Sequence, residues 1–355
     1  MIWNYSPLDI NTLGMVNSGS WLFDYKIDKE RLQDSLDKVL TSYPVFCGKC
    51  IGNGIEYEET GKFKGCEITF ENGTLTSGQI SSNWKLPIAL KADFNLKAFK
   101  KGKVAPINVK VTDLADGTML GVAFSHSCCD GATLMRFVND WARTFRGEPI
   151  EKPIFDQALL PVLTDSKDDL MNILPAEGWY RVSLKVLFNH IWDTLRGINR
   201  KAPKVIFLPG IRTNTEVCEW LSVKAGNKPG FIHVVDLRSR CLPEAFCGNA
   251  VVNLQDISIM HDSVKLARYF RLNMESMQNK VPFTGFDLNG ISGSKPRFLM
   301  VNNFCKFPIY EPDFGCGKPL KVYPNDLPDT IKVWPGTPAE NGVYLFLRGN
   351  AIDCC

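Results

Sequence analysis

Apolar positions along the chain fall into short segments of two different periods. After Asp28, Leu32, Leu36, Val39 and Leu40 recur at the spacing of one helical face, and Pro44 stops the run, so a helix packed on a sheet is predicted. Ile107, Val109 and Val111 alternate with polar residues, Asp116-Gly117 supplies a turn, and Met119 to Phe124 is apolar throughout. That pattern predicts a hairpin whose second strand is buried on both faces. Leu134, Phe137, Val138, Trp141 and Phe145 return to helical spacing, with Gly147 as the stop.

In the second half, Thr213-Asn214-Thr215-Glu216 reads as a capping box opening a helix through Val217 and Leu221. Phe231 to Leu237 reads as a strand; if it stays regular, Ile232, Val234, Asp236, Arg238 and Arg240 share one parity, and a charged edge lies next to a core strand. Gly and Pro are dense from Gly290 to Pro338, which predicts short strands and tight turns. Patterning is poor from about Gly147 to Pro209. Strand-like and helix-like segments alternate on both sides of that stretch, so the expected organisation is α/β: a domain over 1–160, a crossover linker over 161–204 and a second domain over 205–355.

Composition narrows the function. The 355 residues suffice for two cores, and 41 Lys+Arg against 38 Asp+Glu are spread without long blocks of one sign. Charge therefore gives no reason to expect nucleic acid or an anionic membrane as partner, and a neutral small molecule suits this surface better. No apolar run reaches the roughly 18 residues of a membrane span, and Met1-Ile2-Trp3-Asn4-Tyr5 lacks the marks of a signal peptide, so the expected compartment is the cytoplasm. In that compartment the 12 Cys read mostly as small apolar residues without disulfides, and the sequons at Asn4 and Asn72 carry no meaning.

Candidate chemistry concentrates in Ser125-His126-Ser127-Cys128-Cys129-Asp130-Gly131, between the buried strand and the amphipathic helix. Strand parity groups His126 with Leu120, Val122 and Phe124, so an imidazole emerges from an apolar wall; its ordinary pKa near about 6.5 suits a general base. A buried His bonded for structure is the competing reading. A second constellation, Tyr310-Glu311-Pro312-Asp313-Phe314-Gly315-Cys316-Gly317-Lys318-Pro319, reads as a tight turn whose own N–H groups Asp313 can hold. No helix N-terminus follows, so it is not a phosphate loop.

Together the His-x-x-x-Asp-Gly and Asp-Phe-Gly-Cys-Gly strings resemble the paired motifs of the BAHD acyl-CoA-dependent acyltransferases. The resemblance extends to Tyr5-Ser6-Pro7-Leu8-Asp9, Ser42-Tyr43-Pro44 with Gly48, Trp141-Ala142 with Arg146-Gly147, Thr213-Asn214, Asp236-Leu237-Arg238-Ser239-Arg240 and Gly248-Asn249, nearly the whole chain. It implies two chloramphenicol-acetyltransferase-like domains, mixed sheets flanked by helices, with an active-site channel between them. His126 would deprotonate a small-molecule alcohol or amine that attacks the acyl-CoA thioester. Acyl-CoA would be a cosubstrate, with no other cofactor and no metal, and the enzyme a monomer.

The resemblance further implies that Asp130 pairs with an Arg of the second half, here Arg238, and sets the loop geometry. Asp313, Phe314, Gly315 and Gly317 would support the CoA side. Members carry Trp where this chain has Cys316, and a Thr or Ser, Ser and Trp where it has Asn302, Asn303 and Phe304. That leaves the Asn302 amide as the side-chain oxyanion candidate. The chain is also shorter at both ends than plant members, so a first strand and a last helix are expected to be lacking. These departures keep open a catalytically silent relative that binds CoA or a protein. A condensation-like domain of peptide synthetases is a third option, but it usually has a second His where this chain has Ser125.

Three features are discounted. Cys47-Gly48-Lys49-Cys50 has no second Cys pair of zinc spacing and falls where members share only the Gly. The terminal Cys354-Cys355 resembles a doubly prenylated end without the upstream basic residues. His190, His233 and His261 have no motif around them.

Overall fold

The computed structural model describes residues 1–58, 66–182, 203–224, 230–285, 298–325 and 331–348. Within the described residues the predicted helices and strands form where the periodicity places them. Lys29–Leu40 is a helix capped by Asp28, whose carboxylate accepts from the Arg31 N–H at 3.0 Å. Ile107–Asp113 and Thr118–Ser125 pair as an antiparallel hairpin, and all eight residues of the second strand are buried. Gly131–Arg146 is the following helix, and its chain leaves through Gly147 in the left-handed conformation. His190 and the Cys354-Cys355 pair lie outside the described residues.

The chain divides into two compact units, neither of which is one continuous stretch. Met1–Leu159, Pro243–Ala250 and Phe307–Asn325 make the first; Leu160–Leu242, Val251–Lys306 and Asp326–Cys355 make the second. The first thus takes two segments from the region expected to be a C-terminal domain, the Asp-Phe-Gly-Cys-Gly turn among them. The described part of the expected crossover belongs to the second.

In the first unit a mixed five-stranded sheet runs in the order Lys321–Pro324, Val16–Phe23, Thr118–Ser125, Ile107–Asp113, Thr69–Asn72. Only the last pair is parallel. The Lys29–Leu40 and Gly131–Arg146 helices pack together, with the Trp141 indole N–H donating to the Ser35 hydroxyl at 3.0 Å. Phe46, Phe124 and Phe137 meet at ring-centroid distances of 4.5 to 5.5 Å, a dry aromatic core directly beneath the strand that leads to His126. The chain's first strand, Ile2–Asn4, joins a small sheet with Gly54–Glu56 and Lys49–Cys50.

In the second unit six strands run in the order Val251–Leu254, Gly230–Asp236, Phe298–Asn303, Ile331–Pro335, Gly342–Leu347, Lys204–Pro209, again mixed. The Asn214–Lys224 helix covers it with Val217 and Leu221, both fully buried. Its capping box is formed: the Thr213 hydroxyl and N–H both donate to the Glu216 carboxylate.

Two expectations differ here. The Gly230–Asp236 strand has neighbours on both sides, so it is not an edge, and its parity ends at Asp236 because the chain turns through Ser239 at φ 61°. The poorly patterned stretch contains a helix, Lys167–Ala176. Its signal is a capping box at Ser166 and Asp169; Leu170 and Leu174 are buried in a core with Trp179 and Leu272, against which Met171 and Ile173 pack.

Candidate active site

His126 lies one residue past the Thr118–Ser125 strand, where the ladder still holds its backbone: its N–H donates to the Met15 carbonyl at 3.0 Å. The ring is partly exposed on an otherwise buried segment. Its Nδ1 lies 3.0 Å from Asn249 Oδ1. The identity of that amide oxygen follows from the other end of the side chain. Asn249 Nδ2 donates to Asp9 Oδ1 at 2.7 Å and to the His126 carbonyl at 2.8 Å, both of which only accept. Oδ1 therefore faces the ring, Nδ1 carries the proton, and Nε2 keeps its lone pair in the neutral imidazole.

Asp9 is 1% exposed and sits at the third position of the short Pro7–Thr12 helix, where its other oxygen accepts from the Ser6 N–H at 2.8 Å and hydroxyl at 2.7 Å. Burial pushes its carboxyl up to about 6, against which the Ser6 and Asn249 donors act. At neutral pH it is ionised, so the order Asp9 carboxylate, Asn249 amide, His126 imidazole puts a negative charge behind the ring.

Asp130, buried, caps the Gly131–Arg146 helix. One oxygen accepts from the Thr133 N–H at 2.9 Å and the other from the Ala250 N–H at 3.0 Å. Thr133 adds a bond from its hydroxyl to the Gly248 carbonyl at 3.1 Å. Asp130 and Thr133 thus fasten 248–250 to the helix start and bring Asn249 to the ring. Arg238 is buried in the second unit and donates to Asp236 at 2.9 Å.

In the Asp-Phe-Gly-Cys-Gly turn, Asp313 Oδ1 accepts from the Gly315 and Gly317 N–H groups at 2.8 and 2.9 Å. These glycines have φ of 98° and 123°, a conformation a side chain would strain. Phe314 is buried edge-on against Phe23, Trp141 and Phe145. Cys316 is exposed. Asn302 is partly exposed on the Phe298–Asn303 strand, and Phe304 packs on Trp334 at 5.1 Å.

Cys47 is free, and burial pushes its thiol up to about 12, unsuited to a thiolate nucleophile or metal ligand. Cys50 is buried and accepts a 3.6 Å contact from the Tyr5 hydroxyl. Among the described residues no group of three His, Cys, Asp or Glu side chains could hold a metal, and no helix is long and apolar enough to cross a membrane.

Asn249 and Asp9 are the residues that reading for chemistry missed. Both stood in matched segments, Gly248-Asn249 and Tyr5-Ser6-Pro7-Leu8-Asp9, without a role.

The fold is shared with solved structures. An F. graminearum protein solved with coenzyme A and T-2 mycotoxin superposes with a TM-score of 0.62 over 99% of this chain and 96% of its own, at 13% identity. Residues 82–176 match the Transferase family model. The chain is similar to fatty alcohol:caffeoyl-CoA acyltransferase of Arabidopsis thaliana, 24% identical over 70% of this chain and 66% of the relative. It is also similar to acetyl-CoA-benzylalcohol acetyltransferase of Clarkia breweri, 25% identical over 90% and 83%. The match thus spans just under two thirds of the first of these relatives. The chain is thus similar to acyltransferases over most of its length, in line with the resemblance of its paired motifs.

Proposed function

We propose that the chain transfers an acyl group from acyl-CoA to a hydroxyl or amine of a small molecule, with His126 as general base. The observation that supports it most is the fixed tautomer: Asn249 holds the Nδ1 proton, so Nε2 bears the lone pair that takes a proton. As the acceptor O–H or N–H is deprotonated by Nε2, the acceptor attacks the thioester carbonyl. The tetrahedral oxyanion collapses, the C–S bond breaks, and the imidazolium returns its proton to the leaving thiolate. The Asp9 charge, passed through the Asn249 amide, favours the imidazolium that forms in between.

Asn302 is the proposed side-chain donor to the oxyanion. Asp130 acts on loop geometry, with Arg238 as its proposed ionic partner, and Asp313, Phe314, Gly315 and Gly317 shape the CoA side. The relatives' names favour alcohol acceptors and CoA thioester donors. We place the enzyme in the cytosol as a monomer.

The test is mass-spectrometric detection of acyl transfer from a panel of CoA thioesters to a mixed alcohol and amine library. His126→Ala should lower turnover at least about a hundredfold with little loss of thermal stability. Near-normal turnover in this variant would remove His126 from the mechanism. CoA binding without any transfer would leave a binding scaffold.

A further inference from the structure

His233, set aside for lack of a motif, sits in a polar chain of the second unit. It is 8% exposed on the Gly230–Asp236 strand, opposite Leu254 on one neighbouring strand and Val301 on the other. Its Nδ1 lies 3.0 Å from Asn214 Nδ2. Asn214 Oδ1 in turn accepts from Asn303 Nδ2 at 3.1 Å, and Asn303 Oδ1 accepts from the Cys305 N–H at 2.8 Å.

The direction of this chain is dictated from one end. A backbone N–H can only donate, so Asn303 must turn its oxygen to Cys305 and its Nδ2 to Asn214. Asn214 must then offer its oxygen to Asn303 and its own Nδ2 to His233. A donor needs an acceptor, so His233 Nδ1 is unprotonated and the ring proton is on Nε2. Protonating Nδ1 sets N–H against N–H. Rotating the Asn214 amide moves the conflict to Asn303, and rotating Asn303 moves it to the Cys305 N–H, which cannot reverse. One hydrogen bond is lost wherever the fault comes to rest.

We propose that His233 is a positioning residue for the strand end bearing Asn302, acting through Asn214 and Asn303, and only as the neutral imidazole protonated on Nε2. Asn303 is the covalent neighbour of Asn302, and its side chain ties the end of the Phe298–Asn303 strand both to the turn at Cys305 and to the Asn214–Lys224 helix. A donor to a developing oxyanion works by being held in place beforehand. The groups facing His233 along the chain and across the strands, Asn214, Leu254 and Val301, do not titrate. Burial alone lowers its pKa, in the direction that keeps the acceptor form populated. The effect on turnover rests on the assignment of Asn302 above; the coupling of His233 to Asn303 does not.

The experiment is a pH titration of the full chain labelled with ¹³C and ¹⁵N in its 4 His, the His233 signals being those lost in His233→Asn. The expected result is the Nε2–H tautomer and, in Asn303→Ala, a His233 pKa raised by about half a pH unit to one pH unit, the equivalent of one hydrogen bond. His233→Asn, whose Oδ1 replaces Nδ1 as acceptor, should keep kcat within about twofold at pH 7.5 and remove one ionisation from the acid limb. His233→Leu should lower kcat about fivefold at unchanged thioester KM. An Nδ1–H tautomer or a His233 titration unmoved by Asn303→Ala overturns the proposal, as does an acid limb unaltered in His233→Asn where Asn302→Ala slows turnover. If Asn302→Ala leaves turnover unchanged while the Asn303→Ala shift is present, the relay stands and the oxyanion assignment of Asn302 falls.

Discussion

Replacing Asp9 by Asn should stabilise the folded chain at neutral pH relative to acid, and slow the reaction. Burial raises the Asp9 carboxyl from 3.8 to about 6 in the folded state. A group whose folded pKa lies above its unfolded value binds its proton more tightly when folded, so its stabilisation is full below the unfolded pKa and is lost as pH rises through the folded one. The window is therefore about pH 4 to 6, and a displacement of about two pH units corresponds to about 3 kcal/mol.

Urea unfolding of wild type and Asp9→Asn between pH 4 and 7 isolates that contribution, because every other carboxylate cancels in the difference. The variant's stability relative to wild type should rise by about 3 kcal/mol over that range, offset at every pH by the loss of one Ser6 bond, about 1 kcal/mol. Turnover should fall about tenfold at pH 7.5, since the Asn249 amide keeps a neutral acceptor but loses the charge that favours the imidazolium. Parallel stability curves across pH 4 to 7 would refute the ionisation of a buried Asp9, and unchanged turnover would refute its role behind the ring.

Asn249→Ala frees the ring tautomer and leaves an oxygen of Asp9 without its donor; turnover should drop about a hundredfold and stability by about 1 to 3 kcal/mol, read by steady-state kinetics and chemical unfolding. Asn302→Ala should cost roughly a hundredfold or more in turnover with CoA affinity intact by calorimetry, because the charge it faces exists only along the reaction path. Replacing Cys47 and Cys50 together by Ala should keep acyl transfer within a few-fold, and elemental analysis of the wild-type protein should find no stoichiometric zinc.

Elements whose signal is local were legible in the sequence. Leu134, Phe137, Val138, Trp141 and Phe145 define one helical face with no knowledge of what it packs on, and the Ile107 to Phe124 hairpin carries its own turn. The helix at Lys167 was missed because its apolar residues, Leu170, Met171, Ile173 and Leu174, span little more than one turn, too short a run for periodicity to mark, so its capping box had to be read instead. Within the site, His126 stood out by its flanking elements. Its partner Asn249 is 123 residues away and Asp9 lies 240 residues from Asn249, and a lone Asn or Asp at such separations carries no spacing that chemistry dictates. Arg238 does not continue the strand's parity, because the strand ends at Asp236 and the chain turns through a left-handed Ser239, a backbone event that residue type does not announce.

The Lys321–Pro324 strand bears on how the chain is made. It pairs with Val16–Phe23 across about 300 residues of sequence, Val322 opposite Trp21. A ribosome adding about 5 to 20 residues per second needs roughly 15 to 60 s to reach it after the first strand has emerged. Throughout that interval the flank of Val16–Phe23 has unpaired backbone N–H and C=O groups beside a finished hairpin, the kind of edge that recruits strands from other chains. The nascent chain therefore passes through a long period in which this sheet is incomplete, and the sheet closes only once Lys321–Pro324 follows the turn that holds Phe314.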